Sequence, residues 1–376
     1  MVELAQKIDA NSRKSCESKR KSKLNLREST QDSRESWFER NECAGSFWLN
    51  LTILLVRILP KFALNIVIIV VTATYFIFSK KERKNLTKFY TLAQQYCQKN
   101  AINLKNDKLK NPNIYLNFYH FGWAICDKIS AWIGKIRYDD IVINHEAIIK
   151  NLCEPKKGRI LLMSHFGNAE VAFALSQKFR NLRIVIFVYQ KNTEQFLQMI
   201  DKVSGRKIQR VFVDEIDIKR LLELREIIES GGHIGIMGDR IALNHKRNVM
   251  MDFLGAPCYF SLGAFIIAQL LETQISAMWC EKIDGKYRVE IENISESIDN
   301  FSPNLGESAL QKNRRDKFAN LKPLLQKYVD SLQSHALNNP TQWFSFYDFW
   351  EEARGFRMQN LGDLSANPKS QKMQGI

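Results

Sequence analysis

From Ile136 onward, short apolar runs alternate with stretches whose apolar residues recur at helical spacing. The runs IRYDDIVI (136–143), RILLM (159–163), RIVIFVY (183–189), QRVFV (209–213), HIGIM (233–237) and ISAMWC (275–280) have the length and branched content of buried strands. Between them lie helical patterns such as IDIKRLLELREIIES (216–230) and SLGAFIIAQLLE (261–272). That order predicts βαβ units, and so an α/β fold whose central, mainly parallel sheet is flanked by helices. Upstream, 86–134 reads as two helices, TKFYTLAQQYCQ and then IYLNFYHFGWAICDKISAWIG. Phe118, Phe121, Trp123, Ile125 and Ile129 give the second one broad apolar coverage, suited to a core or to a lipid-facing surface. Residues 307–335 read as a long polar helix.

The two ends differ from this body. Residues 1–45 are polar, mix both charge signs and carry almost no apolar periodicity, which predicts a disordered tail. They lack the apolar core and cleavage site of a signal peptide. Phe47 to Phe78 is strongly hydrophobic, divided by Arg57, Pro60 and Lys61. It predicts an N-terminal membrane anchor over 46–80, either one spanning helix or a hairpin or kinked helix lying partly in one leaflet; a buried core helix is the bland alternative. Lys80, Lys81, Arg83, Lys84 and Lys88 follow, so the positive-inside rule assigns that side to the cytoplasm. The catalytic body is then expected over 81–354 and a loose tail over 355–376.

Charge narrows the partners. The chain has 55 Lys+Arg against 40 Asp+Glu, a formal net charge of +15, which suits an anionic partner such as a membrane surface or an acidic protein. Zinc-finger spacing, an aromatic RNP-type motif and a basic heptad region are all missing, so nucleic acid is not expected. The seven cysteines are scattered without a C-x-x-C pair, which excludes a patterned zinc site or disulfide framework and fits a reducing compartment. The P-loop, a strict G-x-G-x-x-G and G-x-S-x-G are also absent, which disfavours nucleotide enzymes and ordinary serine hydrolases.

The chemistry concentrates in GRILLMSHFGNAEVAFAL (158–175). Ser164 and His165 leave a strand, Gly167 permits a sharp bend, Asn168 suits a helix N-cap, and a helix is expected from Ala169 to Lys178. The resulting motif is His-x4-Glu across a strand-to-helix turn, at the strand ends where side chains reach ligands. An imidazole can take the proton of a hydroxyl as that hydroxyl attacks an acyl carbonyl. Glu170, in the first helical turn, is expected to fold back onto His165 and fix its tautomer, as the acid of a triad does. A strand-capping His beside a solvated Glu would give the same spacing.

Four ordered stretches extend the motif: SHFGNAE (164–170), MGDR (237–240), FLGAP (253–257) and NPTQWFSFYDFW (339–350). Together they resemble the late acyltransferases of lipid A biosynthesis, within the lysophospholipid acyltransferase superfamily and its His-x4-Asp/Glu motif. The resemblance runs from about Leu49 to Trp350. It is closest to a divergent branch found with aryl-polyene-type lipid clusters, sharing the GDR, FLG and QWF-x-F-x-DFW stretches. It implies a glycerolipid acyltransferase-like fold, no metal and no organic cofactor. It also implies a fatty acyl donor on acyl carrier protein, a hydroxyl of a glycolipid or related lipid as acceptor, and the cytoplasmic face of a bacterial inner membrane as location.

On that basis His165 and Glu170 are the expected catalytic pair. Asn168, Lys191, Asp239, Arg240 and Arg247 are the expected substrate-binding residues, with Lys246 extending a basic patch and FLGAP forming a wall of the acyl pocket. Arg240 is a permanently charged fork that suits a phosphate or a developing oxyanion. Lipid A acyltransferases usually carry an Arg after the strand that here reads FVYQK, where Gln190 and Lys191 stand instead. Their C-terminal signature is basic, whereas QWFSFYDFW is aromatic and acidic. Both departures point away from a lipid A precursor as acceptor and leave the transfer chemistry intact. Two other classes stay open: a thioesterase or lipid hydrolase using the same His with water, and a non-catalytic lipid-binding membrane protein.

Overall fold

The structure is a computed structural model that describes residues 46–102, 107–144, 150, 152, 157–174, 182–188, 201, 209–212, 218–239, 247–295 and 319–350. The tails expected over 1–45 and 355–376 lie outside these residues, as do Lys191, Arg240 and Lys246.

Seven strands form the sheet: β1 (Ile141–Ile143), β2 (Ile160–Met163), β3 (Ile184–Val188), β4 (Arg210–Phe212), β5 (His233–Met237), β8 (Ile275–Ile283) and β9 (Lys286–Asn293). Their order is β1-β9-β8-β2-β5-β3-β4, and every pairing is parallel except β8 with β9. The α/β architecture with a mainly parallel sheet is therefore as expected. A separate antiparallel hairpin, β6 (Asn248–Phe253) and β7 (Ala256–Ser261), was not expected and encloses the FLGAP stretch. Its turn uses Leu254 and Gly255 at φ 55° and 72°, which matches the twist a tight hairpin needs.

Among the described residues the longer helices are α1 (Ser46–Ile58), α2 (Lys61–Phe78), α3 (Lys80–Lys99), α4 (Tyr115–Trp132), α5 (Ile218–Glu229), α6 (Gly263–Leu270) and α7 (Lys322–Asn338), with 3-10 turns such as Ala169–Ala174. Of the long polar helix expected over 307–335, residues 307–318 lie outside the described residues and the rest includes α7, in which Pro323 occupies the first turn, where its missing N–H costs nothing.

β2 sits between β5 and β8, and all four of its residues are buried. Alternation sends Ile160 and Leu162 into the larger core with α3, α6 and α7, while Leu161 and Met163 join the opposite layer with Val171, Val289 and Ile291. Truncating such a residue to Ala costs about 2–5 kcal/mol, so the strand that leads to His165 is held on both faces. A third cluster joins Ile53 and Val56 of α1, Leu64 and Ile68 of α2, and Cys126 and Ile129 of α4.

Candidate active site

The sheet register makes the site. β2 and β5 are parallel neighbours with Met163 opposite Met237, and the ladder continues one step further as Gly238 N donates to Met163 O at 2.8 Å. Ser164-His165 and Gly238-Asp239 therefore leave the sheet side by side at the carboxyl ends of adjacent strands. Asp239 is fully buried, and both of its carboxylate oxygens reach His165. Its Oδ2 accepts from the His165 backbone N at 2.7 Å, and both oxygens lie 3.0 Å from His165 Nδ1. A carboxylate on Nδ1 holds the proton there in the neutral ring, which leaves Nε2 as the basic nitrogen. The His165 side chain is 30% exposed, and no described residue takes up its Nε2.

Glu170 corrects the expected pairing. Its carboxylate forms an ion pair with Lys128 of α4 rather than folding back to the ring. The reason is local geometry: 169–174 is a 3-10 turn instead of an α-helix start, with Val171 N bonded to Asn168 O, and α4 lies over it. Burial alone would raise the Glu170 pKa, but the Lys128 ammonium outweighs it and holds the carboxyl below its ordinary value, with a smaller contribution from His165. It is an anion beside the histidine loop whose cation belongs to another helix.

Asn168 is also placed differently. Its side chain does not cap the turn; Nδ2 donates to Ala124 O at 2.8 Å and reaches Tyr287 Oη at 3.4 Å, and the residue is buried. Asn168 thus fastens the loop to α4 and β9 instead of facing a ligand. Gly167 is required as expected. It adopts φ 68°, and a Cβ there would stand 2.1 Å from Cys280 O. Arg247 is exposed at the start of β6, where its carbonyl accepts from Leu262 N.

The aromatic C-terminal stretch proves to be a strap behind the histidine. Phe344 N donates to His165 O at 3.1 Å, Gly167 N donates to Gln342 O at 3.0 Å, and Phe166 bridges Trp343. Gln342 also exchanges two side-chain bonds with the Lys282 backbone. Farther along, Tyr347 Oη donates to Asp239 O at 3.2 Å, and Asp348 pairs with Lys88 at 2.6 Å. The strap carries its own surface: Phe344 and Phe346 pack on Phe121, which with Ile125 forms an exposed apolar strip on α4. FLGAP, expected as a wall of the acyl pocket, forms the turn of the β6–β7 hairpin. Phe253 and Leu254 are buried, and Phe253 stacks among Trp343, Phe349 and Trp350.

Two further histidines, His233 and His335, are held in opposite charge states. His233 is buried; its Nδ1 accepts from Arg159 N at 3.2 Å, so Nε2 donates to Leu152 O at 2.8 Å. Burial pushes its pKa down to about 4. His335 does the reverse. It lies between Glu281 and Glu292, at 3.2 and 3.3 Å, and although burial opposes the charge these carboxylates raise its pKa to about 9. The cluster comes from three elements with no common spacing, so no local signal marks it. A polar seam, Lys282 and Tyr287 on Asp127 at 2.6 and 2.7 Å, ties α4 to β8 and β9 near Asn168.

Comparison with known proteins finds no family model that matches the chain and no matching curated protein.

Proposed function

We propose that the chain is a membrane-associated O-acyltransferase that moves a fatty acyl group from acyl carrier protein to a hydroxyl of a glycolipid or related lipid. The observation that carries this reading is the arrangement at His165: a buried carboxylate on Nδ1, and an Nε2 that no described residue takes up, at the carboxyl end of a parallel strand.

In this mechanism Nε2 takes the proton of the acceptor hydroxyl as its oxygen attacks the thioester carbonyl. The tetrahedral intermediate collapses with cleavage of the C–S bond, and the departing thiolate receives the proton from the imidazolium. The products are the new ester and the free carrier thiol, so His165 ends as it began. Asp239 keeps the ring in its productive tautomer and stabilises the imidazolium; it is a positioning residue, because its burial keeps it from substrate. Glu170 acts one step further out, holding α4 over the loop through Lys128. The strip of Phe121, Ile125, Phe344 and Phe346 supplies apolar surface for an acyl chain beside the loop. Arg240, Lys191 and Arg247 remain the basic residues proposed for the carrier's phosphate or the developing oxyanion, and the reaction needs no metal or organic cofactor. The expected place of work is the cytoplasmic face of a bacterial inner membrane.

Lipid mass spectrometry of a deletion strain beside its complemented partner tests the reading. A lipid that lacks one acyl chain only in the deletion supports it and names the acceptor. Identical lipid profiles with a shifted pool of free fatty acid would replace transfer with hydrolysis.

A further inference from the structure

The 18 residues of α2 have the length and hydropathy of a bilayer span, yet they pack as a helix docked along the body. Leu64, Ile68 and Thr72 form a buried stripe one helical turn apart, and α2 lies against α4. Gly122 of α4 permits the close approach: a Cβ there would come within 2.8 Å of Thr72 Cγ2 and 3.0 Å of Ile68 Cγ2. Two polar side chains of α2, Asn65 and Thr72, are taken up by the same helix. Tyr119 Oη donates to Asn65 Oδ1 at 2.7 Å, Trp123 Nε1 donates to it at 3.3 Å, and Thr72 shares a 3.1 Å hydroxyl bond with Tyr115. Beyond them, the rings of Tyr75 and Phe76 meet Phe118 at 6.0 and 5.3 Å.

α4 therefore accompanies α2 from Asn65 to Phe76, and α4 is bound to the body on its other side. Asn117 donates to the Pro340 and Trp343 carbonyls, Asp127 holds Lys282 and Tyr287, and Lys128 holds Glu170. Standing α2 across a bilayer would draw those ion pairs and the strap's irregular backbone into hydrocarbon, which tolerates neither when exposed to lipid.

The outer surface fits a shallower seat. Trp48, Leu54 and Ile58 of α1 and Phe62, Ile66 and Val70 of α2 are all exposed. Exposed basic residues frame this face at both ends, with Arg57 and Lys61 at the Pro60 bend and Lys80, Lys81 and Lys84 after α2. Cations at both ends of an apolar helix suit headgroups of a single anionic leaflet. α1, at 13 residues and so about 20 Å long, is too short to supply a second crossing of hydrocarbon about 30 Å thick.

We infer that α1 and α2 seat the protein on one leaflet of an anionic bilayer as a bent pair lying in the interface, neither helix crossing it. This rests on the membrane half of the proposed function and is independent of acyl transfer. The test places an epitope tag at each end of the full chain and treats sealed inside-out vesicles from the producing cells with protease. Loss of both tags while an enclosed marker survives is the expected result. Survival of the N-terminal tag with loss of the C-terminal one would show a span and overturn the inference. Recovery of the protein in the soluble fraction after a low-salt wash would overturn it as well, and the lipid profile would then decide separately whether acyl transfer stands. Gly122→Leu sharpens the point: by forcing α2 off α4 it should lower the Tm of the full-length protein by several degrees while the protein stays membrane-bound. An unchanged Tm would overturn the docking of α2 on α4.

Discussion

The strand ends that hold Asp239 and the α4 seam that holds Glu170 grip the same histidine loop in different ways. Asp239 is fully buried and reaches both the backbone and the ring of His165, so its partner is fixed by sheet register. Glu170 is 25% exposed, and its cation stands on a helix that meets the sheet through side chains. A carboxylate 74 residues away is thus the histidine's partner, while the one five residues away serves the seam. Parallel strands bring distant residues to one edge with backbone precision, whereas a turn's first side chains go wherever the covering helix supplies charge.

Replacing the two carboxylates separately is the sharpest way to break that contrast. Asp239→Asn should lower kcat by about 10²–10⁴-fold, because the amide cannot hold Nδ1–H or balance the imidazolium. A loss no greater than that of Glu170→Gln would return the orienting role to Glu170. The buried His335 cluster sets the scale for structural charge alone. His335→Ala leaves the buried Glu281 without its cation and should cost about 3–5 kcal/mol of stability, read as a fall in Tm. Because the folded pKa of His335 is raised to about 9, its contribution is complete below an unfolded value of about 6.5 and disappears as pH rises through 9. Wild-type and variant Tm values should therefore converge toward high pH; a gap that widened there would contradict the assigned charge.

Smaller effects belong to the seam. Glu170→Gln should cost less than about tenfold in kcat/KM, since a partly exposed ion pair is worth about 1 kcal/mol or less. Smallest is the response of Lys246→Ser/Arg247→Ser, which should lower kcat/KM with acyl carrier protein a few-fold at low salt and flatten its salt dependence. The Debye length falls from about 10 Å at 0.1 M salt to about 3 Å at 1 M, so steering by these residues is screened away. Equal use of acyl-CoA by the unaltered and doubly substituted proteins would assign the positive charge to the membrane instead.

Sequence pattern carried the sheet well because buried parallel strands read as continuous apolar runs, as ILLM and HIGIM do. β9 was missed although its alternation is plain, with Tyr287, Val289 and Ile291 inward. The β6–β7 hairpin was hidden by a Leu-Gly turn in place of the usual Asn-Gly. At the site, His165 and the need for Gly167 were legible from the strand-to-turn composition. Asp239 was singled out, but as a ligand contact; its pairing depends on Met163 standing opposite Met237, which no local spacing encodes. The pairing of Glu170 with Lys128 was illegible for the same reason, since it requires knowing which helix covers the loop.

The most direct test incubates the purified full-length protein and its His165→Ala variant with radiolabelled acyl carrier protein thioester and a total lipid extract in detergent. Label should move into a lipid ester with the unaltered protein and fall by about 10²–10⁴-fold with the variant, at the same Tm. Equal lipid labelling by both proteins, or label recovered only as free fatty acid, would contradict acyl transfer by His165.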